Sequence, residues 1–159
     1  MRRDKINYYL DIAETVLERS TCLRRQYGSI IVKNDSIVST GFNGAPRSCV
    51  SCDEKGECIR EKLNVPRGTR YELCASTHSE MNAMLSASRD EMLGSTLYIA
   101  GRQEGGYVAN IHPCNLCKKL IINAGIEKVI IRDDRDNYRI IYIDEWIKNQ
   151  DVLTGENGY

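Results

Sequence analysis

Residues 113–132 read PCNLCKKLIINAGIEKVIIR, and they carry the clearest structural signal in the chain. Their first part predicts a helix over residues 114–124, which ends because Gly125 suits the left-handed backbone found after many helices. Residues 127–132 then contain the unbroken apolar run Val129-Ile130-Ile131, which is typical of a strand buried on both faces. A helix that leads into such a strand indicates an α/β protein.

The segments that come first in the chain add a helix and a hairpin. Residues 5–19 carry apolar side chains at spacings of three and four, which predicts an amphipathic helix. Residues 28–33 and 36–42 are rich in β-branched side chains, and the Asn34-Asp35 pair between them predicts a tight turn. These two strands therefore pair as a hairpin at the start of the sheet.

Helices and strands alternate in the second half of the chain. We expect a helix over 78–88, a strand over 95–100, a hairpin-like connection over 101–111, a strand over 139–143 and a closing helix over 144–150. A hairpin followed by a helix–strand–helix–strand series implies a layered α/β fold whose later strands run parallel.

A long irregular stretch separates the two halves. Residues 43 to about 77 hold glycine, proline, charge and four cysteines, with one short helix near 58–64. A loop of this length in a small domain is usually functional or is held by something other than an apolar core. We therefore interpret residues 1–159 as one domain with a cysteine-rich insertion.

Charge and hydropathy exclude several classes of protein. The 22 basic and 22 acidic side chains give a formal net charge of zero, which disfavours binding to nucleic-acid polymers or anionic membranes by bulk charge. The first ten residues hold no long apolar run, and no stretch is long enough to span a membrane. We therefore expect a cytoplasmic protein, in which seven cysteines favour metal binding or thiol chemistry over disulfides.

Two short motifs can build a metal site. Cys114 and Cys117 are three residues apart, so both thiolates project from the first turn of one helix and can hold one ion. The positive end of that helix also favours the thiolate form. His78 begins a second predicted helix and can supply a third ligand.

Three protein ligands leave the fourth tetrahedral position of zinc for water, which is the arrangement of a catalytic site. The ion lowers the pKa of this water towards about 7 and makes hydroxide available at neutral pH. Glu80 lies two residues after His78 and can take up the proton of the water and deliver it to a substrate. A carboxylate in this role typically contributes a factor on the order of 100 to 10,000.

Each motif also has a simpler interpretation when it is taken alone. A single Cys-x-x-Cys occurs in structural zinc knuckles and redox pairs, and Cys49-x-x-Cys52 is the nearest candidate for a second pair. Glu80 is also a plausible helix-start acid that the helix dipole stabilises. The two motifs in this order, each before a helix, are nevertheless the signature of zinc-dependent nucleobase deaminases.

The chain resembles the cytidine deaminase superfamily and, within it, the deoxycytidylate (dCMP) deaminase family. The resemblance covers nearly the whole chain. Besides the two zinc motifs, three stretches carry it: CLRRQYG at 22–28, TGFNGAPR at 40–47 and IINAGI at 121–126. It implies an α/β fold of three α/β/α layers with a five-stranded mixed sheet, a hydrolase that converts dCMP to dUMP and ammonia, and a homo-oligomer, either hexamer or dimer.

The resemblance also implies roles for individual residues. His78, Cys114 and Cys117 would bind the catalytic zinc, and Glu80 would be the catalytic proton shuttle. The substrate contacts would come from Asn43 and Ala45, with the phosphate held by Arg24, Arg25 and Tyr138. The alternative for the two arginines is a solvated helix end.

Two positions depart from the family pattern. Ser79 stands where the family usually has alanine between the histidine and the glutamate, and Phe42 replaces the usual tyrosine. The tyrosine belongs to an element that some members associate with nucleotide effectors. Regulation by dCTP and dTTP is therefore a weaker expectation than the reaction.

The resemblance further implies a second, structural zinc beneath the long loop. Cys22 and Cys52 fall in the segments where it places ligands, and Cys58 and Cys74 would complete the set. Four thiolates would stabilise a loop that has little apolar surface of its own. Small buried apolar residues are the alternative for these cysteines, and Cys49 is left unassigned.

Other substrates and a silent protein are the alternatives for function. The amine could belong to cytidine, guanine, a pterin or riboflavin precursor, or adenosine in tRNA. Zero net charge counts against tRNA and single-stranded DNA. A zinc-binding member of the fold without turnover would have no use for Glu80 beside its metal.

Overall fold

A computed structural model describes residues 1–150 and residue 152; residues 151 and 153–159 of the expected domain lie outside the described part. The strands are β1 (Arg25–Lys33), β2 (Ser36–Phe42), β3 (Thr96–Gln103), β4 (Gly106–Tyr107), β5 (Lys128–Arg132) and β6 (Tyr138–Tyr142). The helices are α1 (Lys5–Leu17), α2 (Cys52–Lys55), α3 (Ile59–Lys62), α4 (Ser79–Leu85), α5 (Arg89–Met92), α6 (Asn115–Ala124) and α7 (Ile143–Asn149), with a 3₁₀ turn over Tyr71–Leu73.

The strands form one mixed sheet. Five of them follow the order β2-β1-β3-β5-β6, and the two-residue β4 pairs with the end of β3. β3 and β5 are parallel as expected of the later strands, but the same expectation was wrong for β6, which is antiparallel to β5 because the short connection over residues 133–137 reverses the chain. The other neighbouring pairs are antiparallel. The predicted five-stranded mixed sheet is confirmed, and β4 is the hairpin expected within residues 101–111.

Helices cover both faces of this sheet, so the predicted three-layer arrangement is also confirmed. On one face α1 packs against alternate strand residues, among them Ile30, Tyr98 and Ile130. On the other face, α4, α6 and α7 pack against the intervening residues of the same strands. These include Ile31, Leu97, Ile99 and Val129. Successive side chains of a strand point to opposite faces, so a continuous apolar run such as that of β5 supplies both layers.

A buried arginine fastens α1 to β5. The Arg132 side chain is 1% exposed, and its Nη1 and Nη2 atoms lie 2.6 Å from Glu14 Oε2 and 2.8 Å from Asp11 Oδ1. Nη2 also donates to the backbone oxygen of Asn7 at 3.2 Å. These contacts explain how the last residue of an apolar strand can be charged and still buried.

The helix predicted over residues 78–88 is shorter in the structure, because α4 ends at Leu85 and α5 begins only at Arg89, beyond the predicted range. Ser88 is the N-cap of α5: its Oγ accepts a hydrogen bond from the Glu91 backbone nitrogen while the Glu91 carboxylate accepts from the Ser88 nitrogen. This reciprocal capping box starts a new helix. None of the helices in the described residues has the length and apolar character needed to cross a membrane.

The long loop contains more structure than expected. α3 confirms the short helix near 58–64, while α2 and the 3₁₀ turn were not predicted. Segments of three or four residues are too short for hydrophobic periodicity to indicate a helix.

A close contact between β2 of the hairpin and α4 fixes the position of this helix on the sheet. A Cβ atom at Gly41 in β2 would lie 2.3 Å from the backbone nitrogen of Ala83 and 2.5 Å from the backbone oxygen of Ser79. Glycine at this position therefore allows the α4 backbone to rest directly on β2. Gly41 pairs with Ser29 of β1, so both residues lie under the start of α4.

We predict that Gly41→Ala moves α4 away from the hairpin and lowers the free energy of unfolding by about 3 kcal/mol, as overpacking against a rigid neighbour does. Urea denaturation followed by circular dichroism measures this change. Thr40→Ala is the matched control, because Thr40 is exposed in the same strand and its substitution should cost at most about 0.5 kcal/mol. Equal stability of Gly41→Ala and the wild type would contradict the prediction.

Candidate active site

Two helix N-termini meet on one face of the sheet. His78 is the N-cap residue of α4 and Cys114 is the N-cap residue of α6, and neither side chain makes a capping hydrogen bond. Each helix leads, directly or through α5, into one of the parallel strands β3 and β5. Two helices that precede parallel strands on the same face begin at the same edge of the sheet, so their first residues come together.

The three predicted zinc ligands form a compact, buried cluster. His78 Nδ1 lies 3.4 Å from Cys114 Sγ and 3.4 Å from Cys117 Sγ. All three ligand atoms lie within 4.8 Å of one another, and both cysteines are fully buried. Tetrahedral zinc with its usual bond lengths holds sulfur and nitrogen ligands about 3.6 Å apart, so the donor set and its spacing fit this ion.

The charges of the cluster also favour a cation. The hydrogen bond with Cys117 lowers the pKa of the Cys114 thiol, and His78 adds to this effect against the cost of burial. The same pairing raises the pKa of Cys117, because a second thiolate is repelled by the first. Burial lowers the pKa of His78, but Cys114 and the charge of Glu80 outweigh it and raise this pKa overall. A divalent cation offsets the repulsion between the thiolates and releases the remaining protons.

Glu80 lies in the first turn of α4 and is fully buried beside the metal ligands. Its Oε1 atom accepts a hydrogen bond from Ser79 Oγ at 2.8 Å. Its negative charge raises the pKa of both His78 and Cys117, so the carboxylate interacts with the cluster. Glu80 is not itself one of the three residues that form the cluster.

A cavity of about 110 Å³ adjoins His78. Arg24, Arg25 and Asn43, three of the predicted substrate contacts, line it. Arg24 Nε pairs with Glu61 Oε1 at 3.1 Å, and Arg25 Nε donates to Gln103 Oε1 at 3.1 Å. Both arginines therefore line the cavity, and each already has a carboxylate or amide partner.

The Asn43 side chain lines the cavity and is hydrogen-bonded to β1 and to the segment before it. Its Oδ1 accepts from the Tyr27 backbone nitrogen at 2.8 Å and from Ser20 Oγ at 2.5 Å, and its Nδ2 donates to the Arg25 backbone oxygen at 2.9 Å. A primary amide has two donor hydrogens, so one N–H of Asn43 is available to a ligand in addition to this bond.

Ala45 and Tyr138, the other two predicted substrate contacts, are not among the residues that line the cavity. Ala45 follows Gly44, which pairs with Thr77 through backbone hydrogen bonds of 3.2 and 2.7 Å and so holds this loop beside His78. Tyr138 begins β6 and packs against the cluster around α1 on the other face of the sheet. Their substrate contacts stay predictions.

The four cysteines assigned to a second zinc lie near one another. Cys22, Cys58 and Cys74 line the same cavity, and burial together with the charges of these three thiols raises the pKa of Cys52. Within the described residues, no three of the four sulfur atoms are as close together as the ligands of the His78 cluster. Cys49 is exposed.

Sequence reasoning missed two side chains of the long loop. Arg60 in α3 is buried, donates from Nη1 to the Arg70 oxygen at 2.7 Å and from Nη2 to the Pro66 oxygen at 3.1 Å, and forms no ion pair within the described residues. Its guanidinium lies 5.5 Å from the centre of the Tyr71 ring, and that ring stands edge-on to His78 at 5.3 Å. An irregular loop carries no periodicity that would indicate which of its side chains turn inward.

Comparisons with known proteins agree with this geometry. Residues 3–132 match the model of the cytidine and deoxycytidylate deaminase zinc-binding region. The chain is 34% identical to a deoxycytidylate deaminase of Mycobacterium phage D29 over 134 residues, which is 81% of this chain and 94% of that protein. It is 32% identical to the human deoxycytidylate deaminase over 129 residues, 80% of this chain and 64% of that protein.

A solved structure extends the comparison to the fold. The dCMP deaminase from the cyanophage S-TIM5, solved in complex with dCMP and dUMP, superimposes with a TM-score of 0.59 at 26% identity and covers 96% of this chain and 94% of that one. The fold and the His-Cys-Cys cluster thus define a zinc deaminase class. The chain belongs to the cytidine and deoxycytidylate deaminase family.

Proposed function

We propose that this protein is a zinc-dependent hydrolase that converts dCMP and water to dUMP and ammonia. The observation that carries the proposal is the buried carboxylate of Glu80 next to the His78, Cys114 and Cys117 cluster. The substrate is supported by the phage D29 relative, which is named a deoxycytidylate deaminase, and by the S-TIM5 enzyme, which binds dCMP and dUMP.

The chain's own residues have separate tasks in this reaction. His78, Cys114 and Cys117 would hold the ion, which when bound activates water as a nucleophile at neutral pH. Glu80 would take one proton from the attacking water and deliver it to the ring nitrogen beside the reacting carbon, and would then transfer the second proton of that water to the amino group, which leaves as ammonia. Burial keeps bulk water away from this carboxylate, which is fully enclosed.

We predict that Glu80→Gln lowers kcat for dCMP at least 100-fold and leaves zinc bound, because the amide cannot carry the proton and Glu80 is not a ligand. Ammonia release and zinc content of the same preparation measure the two effects. Glu145→Gln, on the exposed side of α7, is the control and should keep full activity. A Glu80→Gln variant with wild-type turnover would refute the assigned role.

We further propose that the 5′-phosphate of the substrate lies at the end of the cavity lined by Arg24, Arg25 and Arg60. Arg60 supports this placement because, among the described residues, its buried guanidinium donates hydrogen bonds only to neutral backbone oxygens. A buried charge without an opposite charge is costly, and an anionic ligand group would compensate it. The proposal favours a nucleotide over a nucleoside or a free base.

We predict that Arg60→Gln raises KM for dCMP on the order of 10- to 100-fold and changes turnover of deoxycytidine much less, since only dCMP carries the phosphate. The test is ammonia release from cytosine, deoxycytidine, CMP, dCMP and dCTP with both proteins. Arg89→Gln, exposed at α5, is the matched control. Equal efficiency of the wild type on dCMP and deoxycytidine would move the assignment to a nucleoside deaminase.

A second zinc, held by Cys22, Cys52, Cys58 and Cys74, is part of the proposal. Its support is that Cys22, Cys58 and Cys74 line one cavity and that Cys52, Cys58 and Cys74 lie in a loop with few buried apolar residues. Zinc at this place would tie α2, α3 and the 3₁₀ turn to the segment before β1. The loop that carries Arg60 and Tyr71 would then depend on the metal for its shape.

We predict two zinc equivalents per chain in the wild-type protein and one in Cys52→Ser, which keeps the His78 cluster intact. Cys117→Ser should also retain one equivalent but lose turnover, since it removes a ligand of the catalytic ion. Metal analysis by mass spectrometry gives the counts. The exposed Cys49 supplies the control, because Cys49→Ser should keep both ions. One equivalent in the wild type would overturn the second site.

The remaining proposals concern the context of the enzyme. We propose a cytoplasmic homo-oligomer built from one deaminase domain with a cysteine-rich insertion, with dCTP and dTTP as effectors. Leu116 and Leu120 support subunit contacts, because they form an exposed apolar pair one turn apart on α6. The effectors rest on the family resemblance.

A further inference from the structure

A chain of three buried polar side chains ends at the carboxylate of Glu80. Ser79 Oγ lies 2.8 Å from Glu80 Oε1, and Ser29 Oγ lies 2.8 Å from Ser79 Oγ. Ser29, Ser79 and Glu80 are all fully buried. Ser79 stands where the family resemblance leads us to expect alanine, so its hydroxyl adds a partner for the glutamate.

The direction of the hydrogen bonds in this chain follows from the chemistry of its groups. An ionised carboxylate only accepts hydrogen bonds, so the single proton of the Ser79 hydroxyl is directed at Glu80 Oε1. Ser79 Oγ must then be the acceptor in its contact with Ser29, whose hydroxyl is the donor. Both hydroxyl dipoles therefore point along the chain towards the same carboxylate oxygen.

We propose that Ser79, supported by Ser29, is a positioning residue that orients the Glu80 carboxylate for proton transfer. The Ser79 hydroxyl holds Oε1, and the transfer of the proton is assigned to Oε2, the other oxygen. This proposal rests on the proposed function of Glu80 as the proton shuttle. A carboxylate fixed in its working orientation before the substrate binds does not have to be reorganised during the reaction.

The fold explains why a strand residue can take part. Ser29 pairs with Gly41 across the hairpin, and the missing side chain at Gly41 lets the first turn of α4 rest on these two strands. This contact brings the hydroxyl of Ser29 within hydrogen-bond distance of Ser79, which is separated from it by 50 residues in sequence.

The test compares Ser79→Ala with the wild-type zinc enzyme. We expect kcat to fall on the order of 10- to 100-fold, which corresponds to the loss of one hydrogen bond to a charged group. KM and the zinc content should stay within about twofold, because Ser79 is neither among the residues that line the cavity nor one of the three residues of the ligand cluster. A crystal structure of Ser79→Ala should show the Glu80 carboxylate rotated or in more than one orientation.

Ser29→Ala separates positioning from a general effect of buried serine loss. We expect it to lower kcat about threefold to tenfold alone and to have no further effect in the Ser79→Ala background, since Ser29 acts through Ser79. Ser39→Ala is the matched control. Ser39 is also buried on the hairpin, its hydroxyl has no hydrogen-bond partner within the described residues, and its loss should leave kcat unchanged.

Several results would overturn the proposal. These are an unchanged kcat in Ser79→Ala, a loss that appears in KM or zinc content, effects of Ser29→Ala and Ser79→Ala that multiply, or an unchanged Glu80 orientation in the crystal. A different observation would show that the proposed function itself is wrong: the wild-type protein would release no ammonia from any compound of the substrate panel. In that case the orientation of Glu80 in the Ser79→Ala crystal still decides whether Ser79 positions the carboxylate.

Discussion

The structure depends on one close contact, the approach of α4 to the hairpin at Gly41. This contact sets the height of α4 above the sheet and so places His78 and Glu80, which lie in its first turn or directly before it. α6 begins at the same edge of the sheet because β3 and β5 are parallel. A metal site shared by two helix ends tolerates errors of only a few tenths of an ångström, which a rigid backbone contact can maintain and a flexible side chain cannot.

Several buried groups around the site favour partners of a particular charge. The two thiols of Cys114 and Cys117 favour a cation between them, and the buried guanidinium of Arg60 favours an anion. Glu80 lies close to the first of these places and is held by a hydroxyl. A cation and an anionic substrate would each offset a cost of burial that the folded chain already bears.

The sequence predicted the long elements well and the short elements poorly, and the three side chains that it assigned to zinc do lie together in the structure. The helix before Gly125 and the apolar strand of β5 are as expected, because their patterns extend over enough residues to show a period. The end of α4 at Leu85 and the start of a separate helix after Ser88 were missed, although a Ser-x-x-Glu motif marks the second helix. The sequence of the long loop shows no hydrophobic periodicity. It therefore could not predict α2, the 3₁₀ turn or the inward position of Arg60.

The sequence alone determined the proposed chemistry: a histidine and two cysteines at helix starts favour zinc, and a glutamate two residues after the histidine is the proposed proton carrier. These features depend on residue type and short spacing, which a sequence states directly. Only the tertiary structure decided that Ser29 reaches Ser79, that Arg60 turns towards the cavity, and that Tyr138 lies on the other face. Such contacts join residues far apart in the chain, and they are set by how closely the layers pack rather than by any local pattern.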